Sequence, residues 1–358
     1  MSRVPVELKS RSGPLQLAAA VVLQEVPEDD PGRLLVLGAP EPGLPAVLAT
    51  RFPEATYVHH HYGVHLRDRD PAVPERFRFA ARPPEGVWER ALCFHPKSRE
   101  MAQWILAGLG RATAEGGTVW MVGENRSGIR SSVSLLEETI GPLEVRRSAK
   151  HCLALRAVRR GRVAQLPPER VFPVRVGGRE LTIVSLPGVF SHGRLDDGTA
   201  LLLAALEEAG LGRRGFRRAL DWGAGNGVLG AALATLVPEG EVDCADADAM
   251  ALEAARATMA RNRLPVRVLA SDGFSDLGGP YDLIVSNPPF HAGIRTDSRA
   301  ARRFLEEAPR HLSRKGSLWM VANAFLDHGP VLRAGFDRVR TVHLTTRYRV
   351  LEARRGTG

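Results

Sequence analysis

The sequence predicts an α/β protein of two tandem domains that arose by duplication, each a mostly parallel sheet covered by helices on both faces, with the earlier copy degenerate. Two observations carry this. In each half, apolar strand runs alternate with helical patterns, the arrangement that gives parallel sheets buried on both sides. The chain also repeats itself. When Leu37 is set against Trp222, LGAPEPGLPAVLATRFPE (37–54) matches WGAGNGVLGAALATLVPE (222–239) without a gap. Further on, GGTVWMVGEN (116–125) resembles KGSLWMVANA (315–324), with WMV at Trp120 and Trp319 in common. A length of 358 residues suits two domains of ordinary size.

Taken in order, RLLVLGA reads as the first strand and PAVLATRF as the helix after it. Between them Pro40 and Pro42 stand where the second copy has Gly225 and Gly227. Proline lacks an N–H and fixes φ, so this turn cannot present the same amides to a ligand. The same alignment sets His61 against Asp246, and the first copy is expected to have lost its ligand site. His59, His60 and His61 are consecutive, so on a strand they point to alternate faces, a poor chelate, and no metal site is expected. The first domain is expected over 1–160. Arginines and Pro167–Pro168 without periodicity mark a linker over 161–172, and the second domain follows over 173–358.

Composition removes several classes of protein. With 44% hydrophobic and 25% charged residues the chain is globular, neither disordered nor collagen-like. No apolar run reaches the roughly 18 residues needed to cross a bilayer, and MSRVPVELKS has no secretory-signal pattern, so a cytoplasmic protein without a membrane partner is expected. Cys93, Cys152 and Cys244 are scattered, with neither a disulfide framework nor metal-ligand spacing. Lysine and arginine total 49 against 40 acidic residues, a net charge of +9 that favours a polyanion such as nucleic acid. The lysines are only Lys9, Lys97, Lys150 and Lys315, and asparagine is scarce; both fit a GC-rich, thermophilic source. Asn226 and Asn287 are nevertheless kept inside motifs.

In the second copy RALDWGAGNGVLGAALATL joins a strand ending near Asp221 to an apolar helix. Gly223, Gly225 and Gly227 let the backbone turn sharply and approach a ligand, while the helix that follows offers free N–H groups. The next strand, EVDCAD, ends in Asp246, where a carboxylate can accept from both hydroxyls of a ribose. A nucleoside-containing cofactor follows, and dinucleotide and S-adenosylmethionine enzymes share this much. The strand YDLIVS then opens into Asn287, Pro288, Pro289 and Phe290. Two prolines stiffen the turn and leave carbonyls outward as acceptors. The Asn287 side-chain oxygen and the Pro288 carbonyl can each take one hydrogen of an exocyclic amine, and Phe290 can stack on the base.

This region resembles the class I, Rossmann-like S-adenosylmethionine-dependent methyltransferases that modify exocyclic amines, whose fourth motif is [D/N]PP[F/Y/W]. LPGVFSHGRLDDGTALLLAAL (186–206), SNPPFHAG (286–293) and, in the first copy, FHPKSREMAQW and VGENRSGIRS are together similar to the bacterial ribosomal RNA guanine-N2 methyltransferases, and most to the RsmC family acting on 16S RNA. The resemblance spans nearly the whole chain. It implies that the second domain catalyses while the first supports the fold or positions RNA. It also implies residue roles: Gly223, Gly225 and Gly227 lining the methionine part of S-adenosyl-L-methionine, Asp221 near its amino group, Asp246 on the ribose and Asp272 facing the adenine amine. Asn287, Pro288 and Phe290 would grip guanine, with His291 at the base edge. Phe190 and Thr199 belong to a segment that can fold over the cofactor, Thr199 also fitting a helix cap.

The expected activity is methylation of guanine N2 in 16S ribosomal RNA, by direct in-line transfer needing no metal and no general base. The expected partner is ribosomal RNA or the 30S subunit, and the chain is expected to act as a monomer. The target base must be flipped or single-stranded, and Arg146, Arg147, Arg347, Arg349, Arg354 and Arg355 are candidates for phosphate contact. The same NPP chemistry also serves 23S guanine N2, adenine N6 or a protein glutamine amide, and a noncatalytic RNA-binding factor or a nicotinamide dehydrogenase would use parts of the pattern.

Overall fold

The computed structural model describes residues 13–24, 26–27, 32–96, 98–149, 151–161, 164–288 and 295–356. The chain divides into two compact units between Pro168 and Glu169.

In the first unit, α1 (Pro14–Leu23) precedes β1 (Leu34–Leu37), α2 (Leu44–Leu48), β2 (Thr56–His59), α3 (Tyr62–Asp68), β3 (Phe77–Phe79), β4 (Trp88–Phe94), α4 (Arg99–Ala112), β5 (Thr113–Glu124), α5 (Ser132–Thr139), β6 (Leu143–Ala149) and β7 (Cys152–Val158). The sheet order is β3-β2-β1-β4-β5-β7-β6, parallel except where β7 runs against β5 and β6. Leu34–Leu37 is buried at every position, the pattern of a strand covered on both faces.

The second unit opens with a two-stranded antiparallel ribbon, β8 (Arg170–Val176) and β9 (Arg179–Ser185), followed by α6 (Asp197–Glu208), β10 (Arg218–Trp222), α7 (Val228–Leu236), β11 (Glu241–Asp246), α8 (Ala249–Asn262), β12 (Val266–Ala270), β13 (Tyr281–Ser286), α9 (Arg295–His311), β14 (Leu312–Asn323), α10 (Gly329–Gly335), β15 (Arg338–Leu344) and β16 (Tyr348–Arg354). Its order, β12-β11-β10-β13-β14-β16-β15, reproduces that of the first unit strand for strand. Trp120 and Trp319 are both fully buried, each on a twelve-residue strand, β5 and β14.

The second sheet is covered on both faces. Leu283, Val285, Trp319 and Val321 face one core with residues of α6, α7 and the β8–β9 ribbon, while Ile284, Leu318 and Met320 face the other with Phe304 and Leu305 of α9. The expected linker runs too far. Residues 170–172 belong to β8, because inward Phe172, Val174 and Val176 alternate with outward residues and pair with β9. Before the linker, Arg156 lies within β7, its guanidinium 5.3 Å from the centre of the Trp120 ring.

Candidate functional site

The site lies at the carboxyl ends of the second unit's parallel strands, where doubly wound sheets bind ligands. After β10 the chain turns through Gly223 (φ 72°), Gly225 (φ 54°) and Gly227 (φ 79°), all left-handed positions. The three glycines answer different needs. A Cβ on Gly223 would meet nothing within 4 Å, and one on Gly225 only Val189 Cγ1 at 4.0 Å, so the backbone here is bare toward open space. A Cβ on Gly227 would stand 3.1 Å from Ala255 Cα and 2.9 Å from Met259 Cε, so this glycine lets α8 pack against the turn. Gly223 and Ala224 donate to the Ala245 carbonyl, Gly225 N donates to Asp246 Oδ2 at 2.9 Å, and Thr258 Oγ1 donates to the Asn226 carbonyl at 2.8 Å.

Beneath the turn, Asp221 is fully buried. Its Oδ2 accepts from Gly230 N at 2.8 Å, whereas Oδ1 has no partner. Burial pushes its carboxyl up to about 7; the Gly230 N–H and the Cys244 thiol oppose this and the charge of Asp246 adds to it. A pKa raised from about 4 to about 7 means that the unfolded chain releases this proton first, so the native state loses stability as pH rises through that window. Asp221→Asn removes the effect. Denaturant titrations are expected to show the variant gaining on wild type between about pH 4 and about pH 7, by on the order of a few kcal/mol; a difference independent of pH would contradict the assignment.

Asp246 ends β11 and Asp272 follows β12, and the pairing of Asp246 with Ala270 sets these two carboxylates beyond neighbouring strand ends. Asp246 Oδ1 accepts from Asp248 N at 2.9 Å. Asp248 caps α8, accepting from Met250 and Ala251, and burial pushes its carboxyl up to about 6.

Beyond β13, Ser286 Oγ donates to the Trp222 carbonyl at 2.7 Å, tying the two strand ends together. Asn287 follows. Its Nδ2 donates to Asp196 Oδ2 at 3.0 Å and to Thr199 Oγ1 at 2.8 Å. With both amide hydrogens committed, its carbonyl oxygen is the atom left to meet an incoming donor. Pro288 is buried; Pro289, Phe290 and His291 lie outside the described residues. The cap of α6 is Asp196, not Thr199. Asp196 accepts from the Thr199 N–H at 2.9 Å, and Thr199 sits at the third helical position. Sequence reasoning missed Asp196 and Ser286, although Asp-Asp-Gly-Thr before an apolar run is a helix-start signal.

The first unit repeats the frame without the groups. Gly38 (φ 71°) donates to the Val58 carbonyl as Gly223 does to Ala245. The residue set against Asp246 needs correction. Leu37 pairs with Val58 while Trp222 pairs with Ala245, so the register moves by two residues, His59 takes the place of Asp246, and His61 matches the helix cap Asp248. His61 is itself the cap of α3. His59 is buried, with Nε2 3.1 Å from Asp68 Oδ2, and Asp68 Oδ1 accepts from Gly43 N at 2.6 Å. His60 Nδ1 stands 3.2 Å from where a Gly38 Cβ would be. Cys93 pairs with Met121 and Ser286 with Met320, so buried Phe94 stands where Asn287 does.

Among the described residues no three His, Cys, Asp or Glu side chains group as a metal site, and no helix is long and apolar enough to cross a membrane.

A doubly wound sheet with a bare glycine turn and strand-end carboxylates, with the sequence Asn-Pro-Pro following β13, fits the methyltransferase class. Residues 180–352 match the family model of the methyltransferase small domain, and residues 21–169 match that of its N-terminal domain. The chain is 40% identical over 323 residues to ribosomal RNA small subunit methyltransferase C of Pseudomonas aeruginosa (strain LESB58), covering 87% of this chain and 93% of that one. It is 36% identical over 265 residues to the protein of that name from Vibrio vulnificus, covering 73% and 76%. The solved structure of the T. thermophilus 16S rRNA N2 G1207 methyltransferase (RsmC), in complex with AdoMet and guanosine, superposes with a TM-score of 0.80 at 25% identity, covering 96% and 92%. The chain belongs to the ribosomal RNA small subunit methyltransferase C family.

Proposed function

We propose that this protein transfers a methyl group from S-adenosyl-L-methionine to the exocyclic N2 amine of a guanine in 16S ribosomal RNA. The observation that carries the reading is Asn287, whose amide is oriented by Asp196 and Thr199 so that its oxygen is presented as an acceptor. The family to which the chain belongs and the guanosine-bound relative support the choice of guanine.

The residues present fit the cofactor. The bare backbone at Gly223 and Gly225 leaves room beside the turn, and the orphaned Asp221 Oδ1 is an acceptor for an ammonium group. Asp246 takes the ribose hydroxyls and Asp272 the adenine amine, while Gly227 contributes through the packing that shapes the turn. Thr199 acts on the cofactor side through the segment that begins α6 and on catalysis through Asn287. When bound, the cofactor supplies an electrophilic sulfonium methyl. Guanine N2 is a poor nucleophile because its lone pair is delocalised into the ring. Asn287 Oδ1 and the Pro288 carbonyl accept the two amine hydrogens, turn the lone pair out of conjugation and stabilise the positive charge that grows on nitrogen. Phe290 stacks on the base and His291 meets its edge. The proton then leaves to water.

The first unit keeps Gly38 in the place of Gly223, but it carries Pro40 and Pro42 in the turn, His59 at the ribose position and Phe94 at the amine position, so this copy holds no cofactor and serves the fold or the RNA. The protein acts as a cytoplasmic monomer on ribosomal RNA or the 30S subunit. The test is incubation with methyl-labelled cofactor and, separately, 16S RNA, 30S subunits, DNA and protein, followed by nucleoside mass spectrometry. N2-methylguanosine from 16S RNA is expected; label confined to protein, or N6-methyladenosine, would overturn the reading.

A further inference from the structure

The second unit exposes four large hydrophobic side chains among its described residues: Val171, Phe190, Phe325 and Leu344. Val171 lies on the β8–β9 ribbon. The other three lie at one end of the sheet. Phe190 is on the segment whose Val189 approaches Gly225, Phe325 is in the turn that follows β14, and Leu344 ends β15. Strand β15 pairs antiparallel with β16, which in turn pairs antiparallel with β14, so β15 runs parallel to β14 and Leu344 is at the carboxyl end, the end that carries Asn287. Phe325 is 71% exposed and Leu344 66%. All three stand at the end of the sheet that carries the site, and exposed apolar side chains at such an end suit a surface that meets a partner.

The same rim carries a cation and touches the catalytic corner. Between β15 and β16 the chain turns through Thr345–Arg347, and the Tyr348 ring lies 3.3 Å from where a Gly198 Cβ would be, against the start of α6 whose Asp196 and Thr199 hold the Asn287 amide. The tail arginines divide clearly. Arg349 donates to the Ala324 carbonyl, Arg354 pairs with buried Glu352, and Arg355 donates to the Leu312 carbonyl at 2.7 Å. Arg347 keeps a side chain 70% exposed, paired at 3.1 Å with Asp197, itself 59% exposed. An ion pair that open is weak and yields readily to a phosphate.

We infer that Phe325, Leu344 and Arg347 form a shelf for the nucleotide next to the target guanine, Phe325 stacking on its base, Leu344 flanking the ring and Arg347 meeting its phosphate. This rests on the RNA reading above and deepens it. A guanine drawn out of a helix into the Asn287 corner leaves its neighbour unstacked, and an exposed aromatic ring replaces the lost stacking for any base. Phe325 and Arg347 are positioning residues, remote from the transferred methyl.

The test uses the full chain. Phe325→Ala is expected to raise KM for protein-free 16S RNA roughly five- to a hundredfold, with kcat at saturating RNA and the S-adenosylmethionine dissociation constant held within twofold. Phe325→Trp is expected to restore KM. Its exposed indole, unlike the buried native tryptophans, is expected to be quenched by a single-stranded oligoribonucleotide, a readout that needs no turnover and so separates this inference from the identity of the methylated atom. Arg347→Gln is expected to raise KM and flatten its dependence on salt. An unchanged KM in Phe325→Ala, equal losses in Phe325→Ala and Phe325→Trp, or no quenching by RNA would overturn the shelf. A KM effect seen with assembled 30S subunits and absent with protein-free RNA would likewise overturn it, assigning the patch to a protein partner.

Discussion

Asn287→Ala is expected to lower kcat about a hundred- to a thousandfold, the loss seen when one preorganised polar group is removed from a developing charge. The dissociation constant for S-adenosylmethionine and the KM for RNA should change only a few fold, because the amide oxygen acts on the amine as it becomes positive. Asn287→Asp should not rescue. It keeps acceptor oxygens but sets a second carboxylate against Asp196 Oδ2, now 3.0 Å from the amide nitrogen. Asp196→Ala should fall between. It loses the cap of α6, worth about 1 kcal/mol, and frees the amide to rotate, so kcat should fall well beyond what that loss of stability explains. Single-turnover methyl transfer with saturating RNA and cofactor, beside thermal denaturation of each variant, checks all three; full-rate transfer by Asn287→Ala would remove the residue from the mechanism.

The second large effect separates glycines that look alike in sequence. Gly227→Ala should destabilise the protein by roughly 2–5 kcal/mol, combining the cost of a Cβ in a left-handed conformation with overpacking against Ala255 and Met259. Gly223→Ala bears the conformational part alone, about 1–2 kcal/mol, since its new methyl meets nothing within 4 Å. That methyl enters the space beside the turn, and cofactor affinity should fall at least tenfold while the fold persists. Denaturant midpoints and calorimetric affinities measured together should therefore rank the variants in opposite orders, and equal rankings by both measurements would contradict the division of roles.

Much of this was legible in the sequence because it is written in local pattern. Alternating strands and helices, the internal match and the left-handed glycines each depend on neighbours in the chain, and the strand orders of the two units agree as the repeat requires. What the sequence hid depends on pairing across space. A gapless alignment set His61 against Asp246, and only the sheet register, Leu37 with Val58 against Trp222 with Ala245, shows that His59 stands there and that His61 matches Asp248. Thr199 reads as a cap by type, yet Asp196 caps α6 and also orients Asn287 across 91 positions of sequence. The end of the linker is hidden in the sequence because the charge and prolines that mark it run on into β8, a strand of a two-stranded ribbon in which the missing ladder N–H of Pro173 is tolerated.

The central claim is that one copy of a duplicated frame works and its twin is filled. Titration of the full chain with S-adenosylmethionine by calorimetry tests it most directly. One site per chain is expected, lost in Asp246→Ala and unchanged in His59→Gln. Two sites per chain, or binding that survives Asp246→Ala and disappears in the His59 variant, would place the cofactor in the wrong copy and contradict the account.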